Sequence, residues 1–169
     1  ERFSSSEFLV IALSNDDIFS NVSLANLRNL EAELEQVVNV ANVISVLDAP
    51  LFEQPKLSLV KSATNDKYLL TDDLDLNSAK QELIESPLFN ELIVNNSGTA
   101  VAMQINLDDA VDYDTTVKQI RDILNKEINF KSYLAGPAMI VSDTISFIKN
   151  DVLIFGLSLI HISEPTRPT

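Results

Sequence analysis

Between Val101 and Leu107 the chain alternates with a period of two. Val101, Met103, Ile105 and Leu107 are apolar, and Ala102, Gln104 and Asn106 stand between them. A strand sends successive side chains to opposite faces, so this pattern describes a strand with one face in a core and the other toward water. A different period governs two other stretches. Leu24, Leu27, Leu30 and Leu34 recur at helical spacing with Glu and Asn outward, and Val117, Ile120, Ile123 and Leu124 repeat the arrangement later in the chain. A half-buried sheet face and two amphipathic helices are complementary surfaces, and stacking them gives a two-layer α+β domain.

The other elements fill in around these three. "EFLVIAL", Glu7 to Leu13, has the length of a buried strand, and "SNDD" follows as a turn. Ser23 is placed to cap the first helix. "VANVISVL", ending at Leu47, is a second strand, broken by Asp48-Ala49-Pro50. Pro55 to Asn77 reads as an irregular excursion, with a short helix from about Ser78 to Ser86; residues 49–90 together form an insertion. Leu92 to Asn95 and Ala100 to Leu107 are expected to pair as a hairpin across "NNSG", with Gly98 at positive φ. Asp114 or Thr115 caps the second amphipathic helix. "FKSYLAG" is the last strand, ended at the Gly136-Pro137 corner, and a long helix runs from Met139 through Ile145, Phe147, Ile148 and Val152. The order predicts two strand-helix-strand halves around one sheet, a ferredoxin-like split βαβ sandwich. The helix after Gly136 is expected to leave the domain rather than pack on it.

Composition excludes several functions. The chain has 169 residues, 46% of them apolar, which suits one domain with a real core. Its formal charge of −13 repels phosphates, so nucleic acid is not an expected partner. There is no cysteine, hence no disulfide, thiolate metal site or cysteine nucleophile. No basic-then-apolar segment opens the chain, and it begins at Glu1, as expected of a piece from the middle of a longer protein.

Candidate chemistry is sparse. Asp73, Asp75 and Asn77 imitate the start of a calcium loop, but Ser78 and Ile84 stand where the loop needs a glycine and a carboxylate. The three read instead as a turn that caps the next helix. The neighbouring carboxylates Asp16 and Asp17, Asp72 and Asp73, and Asp108 and Asp109 read as surface charge rather than acid–base pairs. His161 is the only histidine and lies in a tail of doubtful origin, so neither a Ser-His-Asp triad nor a zinc site is expected. No phosphate loop, dinucleotide fingerprint or basic stripe is present. No catalytic, metal or cofactor residue and no cofactor are assigned, and the substrate-contacting residues are unknown. Asp143 and Asp151 lie eight residues apart on roughly one face of the last helix, with Lys149 placed to mask one of them. A polar collar where that helix meets lipid headgroups is the favoured reading, and coupling of the domain to membrane helices is the other. Gly136-Pro137 reads as a strand-to-helix corner.

The ending is the most unusual feature. Val152 to Ile160, "VLIFGLSLI", carries no charge, yet a spanning helix needs about 20 apolar residues and this run stops short at His-Ile-Ser-Glu-Pro. Together with "FSSSEFLVIAL", "DIFSNVSLANLRNLEAELEQVVNVANVISVLDAPL", "ESPLFNELIVNNSGTAVAMQINL" and "YLAGPAMIVSDTISFIKNDVLIFG", it resembles the extracytoplasmic loop between the first and second membrane helices of RND-superfamily exporters of the MMPL type. The resemblance covers about residues 1 to 158. It implies a porter-like domain over 1–138, an exit helix and truncated membrane span over 139–160, and a non-native tail over 161–169, since "SLIHISEPTRPT" is similar to translated adapter or vector sequence. It also implies a periplasmic loop of a bacterial inner-membrane protein, driven elsewhere in the parent by a proton gradient. The implied partners are the parent's membrane helices, reached through the flanking helices, a second loop domain, and a hydrophobic or lipid-like substrate whose path the domain helps form. Such a piece is not an enzyme. Two alternatives share the pattern: an extracytoplasmic ligand-sensing or protein-interaction domain of a membrane-anchored protein, and a free-standing cytosolic protein whose last helix packs on its sheet.

Overall fold

The computed structural model describes residues 7–52, 68–70, 74–108 and 112–162, the last six of these through their backbone alone. The elements in order are β1 (Phe8–Ser14), α1 (Asn21–Glu35), β2 (Val40–Ile44), a 3₁₀ turn (Val46–Asp48), a second 3₁₀ turn (Tyr68–Leu70), α2 (Leu76–Glu85), β3 (Ala100–Leu107), α3 (Tyr113–Lys126), β4 (Lys131–Ala135) and α4 (Pro137–Ile162). The fold is α+β, with a four-stranded antiparallel sheet in the order β2-β3-β1-β4 and four α-helices among the described residues. Each of the two long crossovers, through α1 and through α3, links strands that lie on either side of a third.

Register follows the alternation. Leu9 faces Ile105, Ile11 faces Met103 and Leu13 faces Val101, and all six are buried. These pairs make the floor on which Leu24, Leu27, Leu30 and Leu34 of α1 and Val117, Ile120 and Leu124 of α3 join one core. The opposite sheet face stays open. It carries Phe8, Gln104, Asn106 and Tyr133, with Asn106 Nδ2 donating to Asn42 Oδ1 at 2.7 Å and Gln104 Nε2 to Asn106 Oδ1 at 2.7 Å. The alternation therefore comes from one covered and one uncovered face.

Several expectations need correction. The first helix is capped by Ser20, whose Oγ accepts from the Ser23 amide at 3.2 Å; Ser23 is buried inside the first turn. The second amphipathic helix begins after Asp112, so Asp114 and Thr115 are already helical. The short helix starts at Leu76, capped by Asp75, slightly earlier than expected. The second strand ends at Ile44, where Ser45 opens a 3₁₀ turn instead of continuing to Leu47. The excursion falls largely on residues outside the described set.

The hairpin differs most. Leu92 to Asn95 is not a strand; Val94 makes single bridges to Asn90 and Val101. The amides of Ile93 and Val94 both donate to Phe89 O, at 2.9 and 3.1 Å, and Glu91 takes φ 62°. The Ile93 amide that a strand would offer β3 is thus used inside a turn, and pairing with β3 is left to Asn95 N donating to Ala100 O at 3.1 Å and Ala102 N donating to Ile93 O at 2.7 Å. On that flank of β3, β2 pairs only with Gln104 to Leu107, and the bridge at Val101 covers part of the remainder. The "NNSG" turn does form, with Gly98 at φ 63° and Asn95 Oδ1 accepting from the amides of Thr99 and Ala100 at 2.9 and 3.0 Å.

The last correction concerns α4. Its first half packs on the domain: Ala138 and Ser142 are buried and Met139 is partly buried against the core. Only its second half stands away.

Candidate functional site

The neighbouring carboxylates singled out from the sequence do not converge. Asp16 and Asp17 are exposed in the turn after β1, where the Asp17 amide donates to Asn15 Oδ1 at 2.9 Å. Asp108 is exposed just past β3. Asp72, Asp73 and Asp109 lie outside the described residues, as does the side chain of His161. Asp75 accepts from the Asn77 amide at 3.1 Å and from Ser78 Oγ at 2.7 Å, which is the capping role expected of it. Among the described residues no group of three or more metal-ligating side chains comes together. One buried carboxylate, Glu31 of α1, accepts from Ser45 Oγ at 3.4 Å.

The charges that do meet lie between α3 and α4. Asp114 stands in the first turn of α3, with its side chain 8% exposed. It accepts from Lys149 Nζ at 2.7 Å, from Lys118 Nζ at 3.0 Å and from Ser146 Oγ at 3.1 Å. Two turns further along α3, Arg121 reaches both carboxylate oxygens of Asp143, at 2.9 and 3.1 Å. Lys149 therefore pairs with Asp114, not with Asp143 or Asp151. Asp151 is exposed beyond the cluster. The two stripes have a legible origin: Asp114, Lys118 and Arg121 are spaced for one helix face, and so are Asp143, Ser146 and Lys149. That they face each other is a tertiary fact, set by the Gly136 corner.

The electrostatics are consistent with the geometry. Lys149, then Lys118, hold the Asp114 carboxyl far below the usual aspartate range, against the opposing effect of burial. Reciprocally, Asp114 raises the Lys149 ammonium. The Thr115 hydroxyl lowers exposed Asp112. A carboxylate with a depressed folded pKa stabilises the fold above its unfolded value of about 3.9, and that contribution fades as pH falls toward the folded value. Asp114→Asn should therefore lower the urea midpoint by a constant amount at neutral pH, and the gap from the parent chain should shrink below about pH 4. A gap unchanged at pH 3 would show that the Asp114 charge contributes nothing. The Lys149 contribution has the opposite sense, holding up to its ordinary pKa near 10.4 and fading above it.

The Asp114 carboxylate is shared among three donors and that of Asp143 is held by Arg121, which is the arrangement of an ion-paired seam between two helices. Concavities among the described residues include a shallow apolar groove of about 380 Å³ lined by Ala12, Ala102, Leu92 and Ile93, a hollow of about 400 Å³ beside Val37 and Ile123, and a polar hollow of about 480 Å³ beside Ser14, Asp16, Thr99 and Lys131.

The second half of α4 is the other unusual surface. Val152, Leu153, Ile154 and Phe155 are each 61–66% exposed and Phe147 is 71% exposed. No helix, among the described residues, is long and apolar enough to cross a membrane. A search of curated proteins finds no match to the chain. The profile of the MMPL family matches residues 17–162, which takes in both crossovers, the polar cluster and all of α4. The chain belongs to the MMPL family, whose members are transporters of the RND type.

Proposed function

We propose that residues 1–138 form an extracytoplasmic, porter-like domain of an MMPL-type exporter. Residues 49–90 are its irregular insertion, and residues 139–160 lead into a membrane span continued in the parent. The observation that carries this is the end of α4: four consecutive apolar side chains, Val152 to Phe155, with most of their surface uncovered. Water-facing helices rarely carry such a run, and hydrocarbon accommodates it without cost. Family membership supplies the transporter. The strand order and the two crossovers support the ferredoxin-like, split βαβ reading. On this reading the domain helps form the path of a hydrophobic or amphipathic substrate on the periplasmic side. Its partners are the parent's membrane helices and a second loop domain. A proton gradient drives movement through carboxylates elsewhere in the parent. The domain itself binds no cofactor and catalyses no reaction. Residues 161–169 are foreign to it.

Two versions of the chain test the reading: the full chain, and one ending at Asn150. The shortened chain should keep its thermal midpoint to within about 3 °C and stay monodisperse, because the described side chains it loses, Asp151 to Phe155, are exposed. The full chain should partition into phosphatidylcholine vesicles, and the shortened one should not. A large loss of midpoint on shortening, or no partition of the full chain, would overturn the proposal. The parent coding sequence, read past Ile160, should continue into an apolar span and then several more.

A further inference from the structure

We infer that Asp114 and Arg121 latch α4 at two points, so that the domain and Pro137–Lys149 move as one rigid body and bending of α4 falls beyond Lys149. This goes beyond the transport reading and holds whether or not α4 continues into a membrane.

Apolar packing alone does not fix the direction of α4. Its buried positions are Ala138 and Ser142, both small, and Met139 is only partly buried. Ile140, Phe147 and Ile148 face outward at 65, 71 and 57% exposure. Small side chains bury little area, so they seat the helix without setting its angle. The polar contacts supply what is missing. Asp114 holds Ser146 and Lys149, and Arg121 holds Asp143. The order is reversed along the two helices, as an antiparallel pair requires. Seven residues of α3 separate the two contact points, a distance of about 10 Å along the axis. One contact leaves a helix free to pivot, whereas two contacts that far apart resist both sliding and rotation. The Asp114 end is the firmer, since its carboxylate is nearly buried and receives three donors. The Arg121 end is half open, with both partners 39% exposed. From Asp151 onward the described side chains of α4 are exposed up to Phe155. α3 is itself bound to the sheet through Val117, Ile120 and Leu124. Displacement of α4 thus passes through the latch to α3, and from α3 to the sheet.

The absence of cysteine makes the test direct. Nitroxides placed at Gln104→Cys, on the open sheet face, and at Asp151→Cys, just past the latch, report the direction of α4 by pulsed electron resonance on the full chain. The otherwise unchanged chain should give one narrow distance distribution. Arg121→Asp alone and Asp143→Arg alone should each roughly double its width, and the two together should restore it. Lys149→Met, which changes an exposed side chain, should broaden it independently. Circular dichroism on the same samples establishes that the domain is folded. Unchanged widths in folded single variants, or a broadened distribution that the reversed pair fails to narrow, would overturn the latch.

Discussion

Gly136→Ala should destabilise the domain by about 3 kcal/mol, lowering the thermal midpoint by roughly 10 °C. Two effects combine at this residue. Its φ is 134°, a region that residues with a Cβ essentially never enter. A Cβ there would also stand 2.8 Å from Phe8 O and 3.0 Å from Leu9 Cα. Both are backbone atoms of β1, an interior strand paired on both sides, so they have nowhere to retreat. Gly98 provides the contrast. It has φ 63°, and an added Cβ would meet Lys80 Cε and Ile84 Cδ1, the far ends of side chains that can swing aside. Gly98→Ala should therefore cost only about 1 kcal/mol, the price of the left-handed region for an alanine. If the two substitutions cost the same, chain crossing over β1 does not constrain Gly136, and the corner that aims α4 along α3 is not rigid.

The sequence shows some of this and conceals the rest for identifiable reasons. Periodicity revealed the layers, because burial imposes it: Val101, Met103, Ile105 and Leu107 are all buried, and so are Leu24, Leu27, Leu30 and Leu34. Caps were displaced by a few residues because Ser20 and Ser23 are equally good as chemistry, and only backbone geometry chooses between them. The apolar triad Leu92-Ile93-Val94 looked like a strand, but pattern cannot reveal where an amide finds its acceptor. Those amides turn back to Phe89 O, and Leu92 is left 72% exposed. The polar cluster was half legible. Lys149 and Asp143 stood out from an apolar helix, but their partners Asp114 and Arg121 lie 35 and 22 residues away in the chain. An acidic residue in a first helical turn ordinarily reads as dipole compensation, so nothing local marked Asp114 as the residue that α4 would cover. The exposed run Val152 to Phe155 was legible, since an uncharged stretch is visible without any knowledge of the fold.

Leu27→Ala should cost about 3 kcal/mol and leave the far-ultraviolet spectrum of the folded state unchanged. Leu27 is fully buried at the middle of the α1 stripe, between Leu24 and Leu30, in the same core cluster as Ile11 and Met103. Removing its branched end takes apolar surface out of the core and leaves a cavity that a sheet floor and a helix cannot both collapse to fill. Val22→Ala, five residues earlier on the outer face and 72% exposed, removes methyl groups from the same helix and should change stability by less than about 0.5 kcal/mol. The pair separates packing from helix propensity, because both substitutions place alanine in α1. Comparable losses at the two sites would mean that α1 is held by its own helicity and not by the sheet. A large loss at Leu27 alone makes α1 a helix held by the core, whereas the first half of α4 is seated by the small residues Ala138 and Ser142 and fastened by charge, with its apolar end available to another environment.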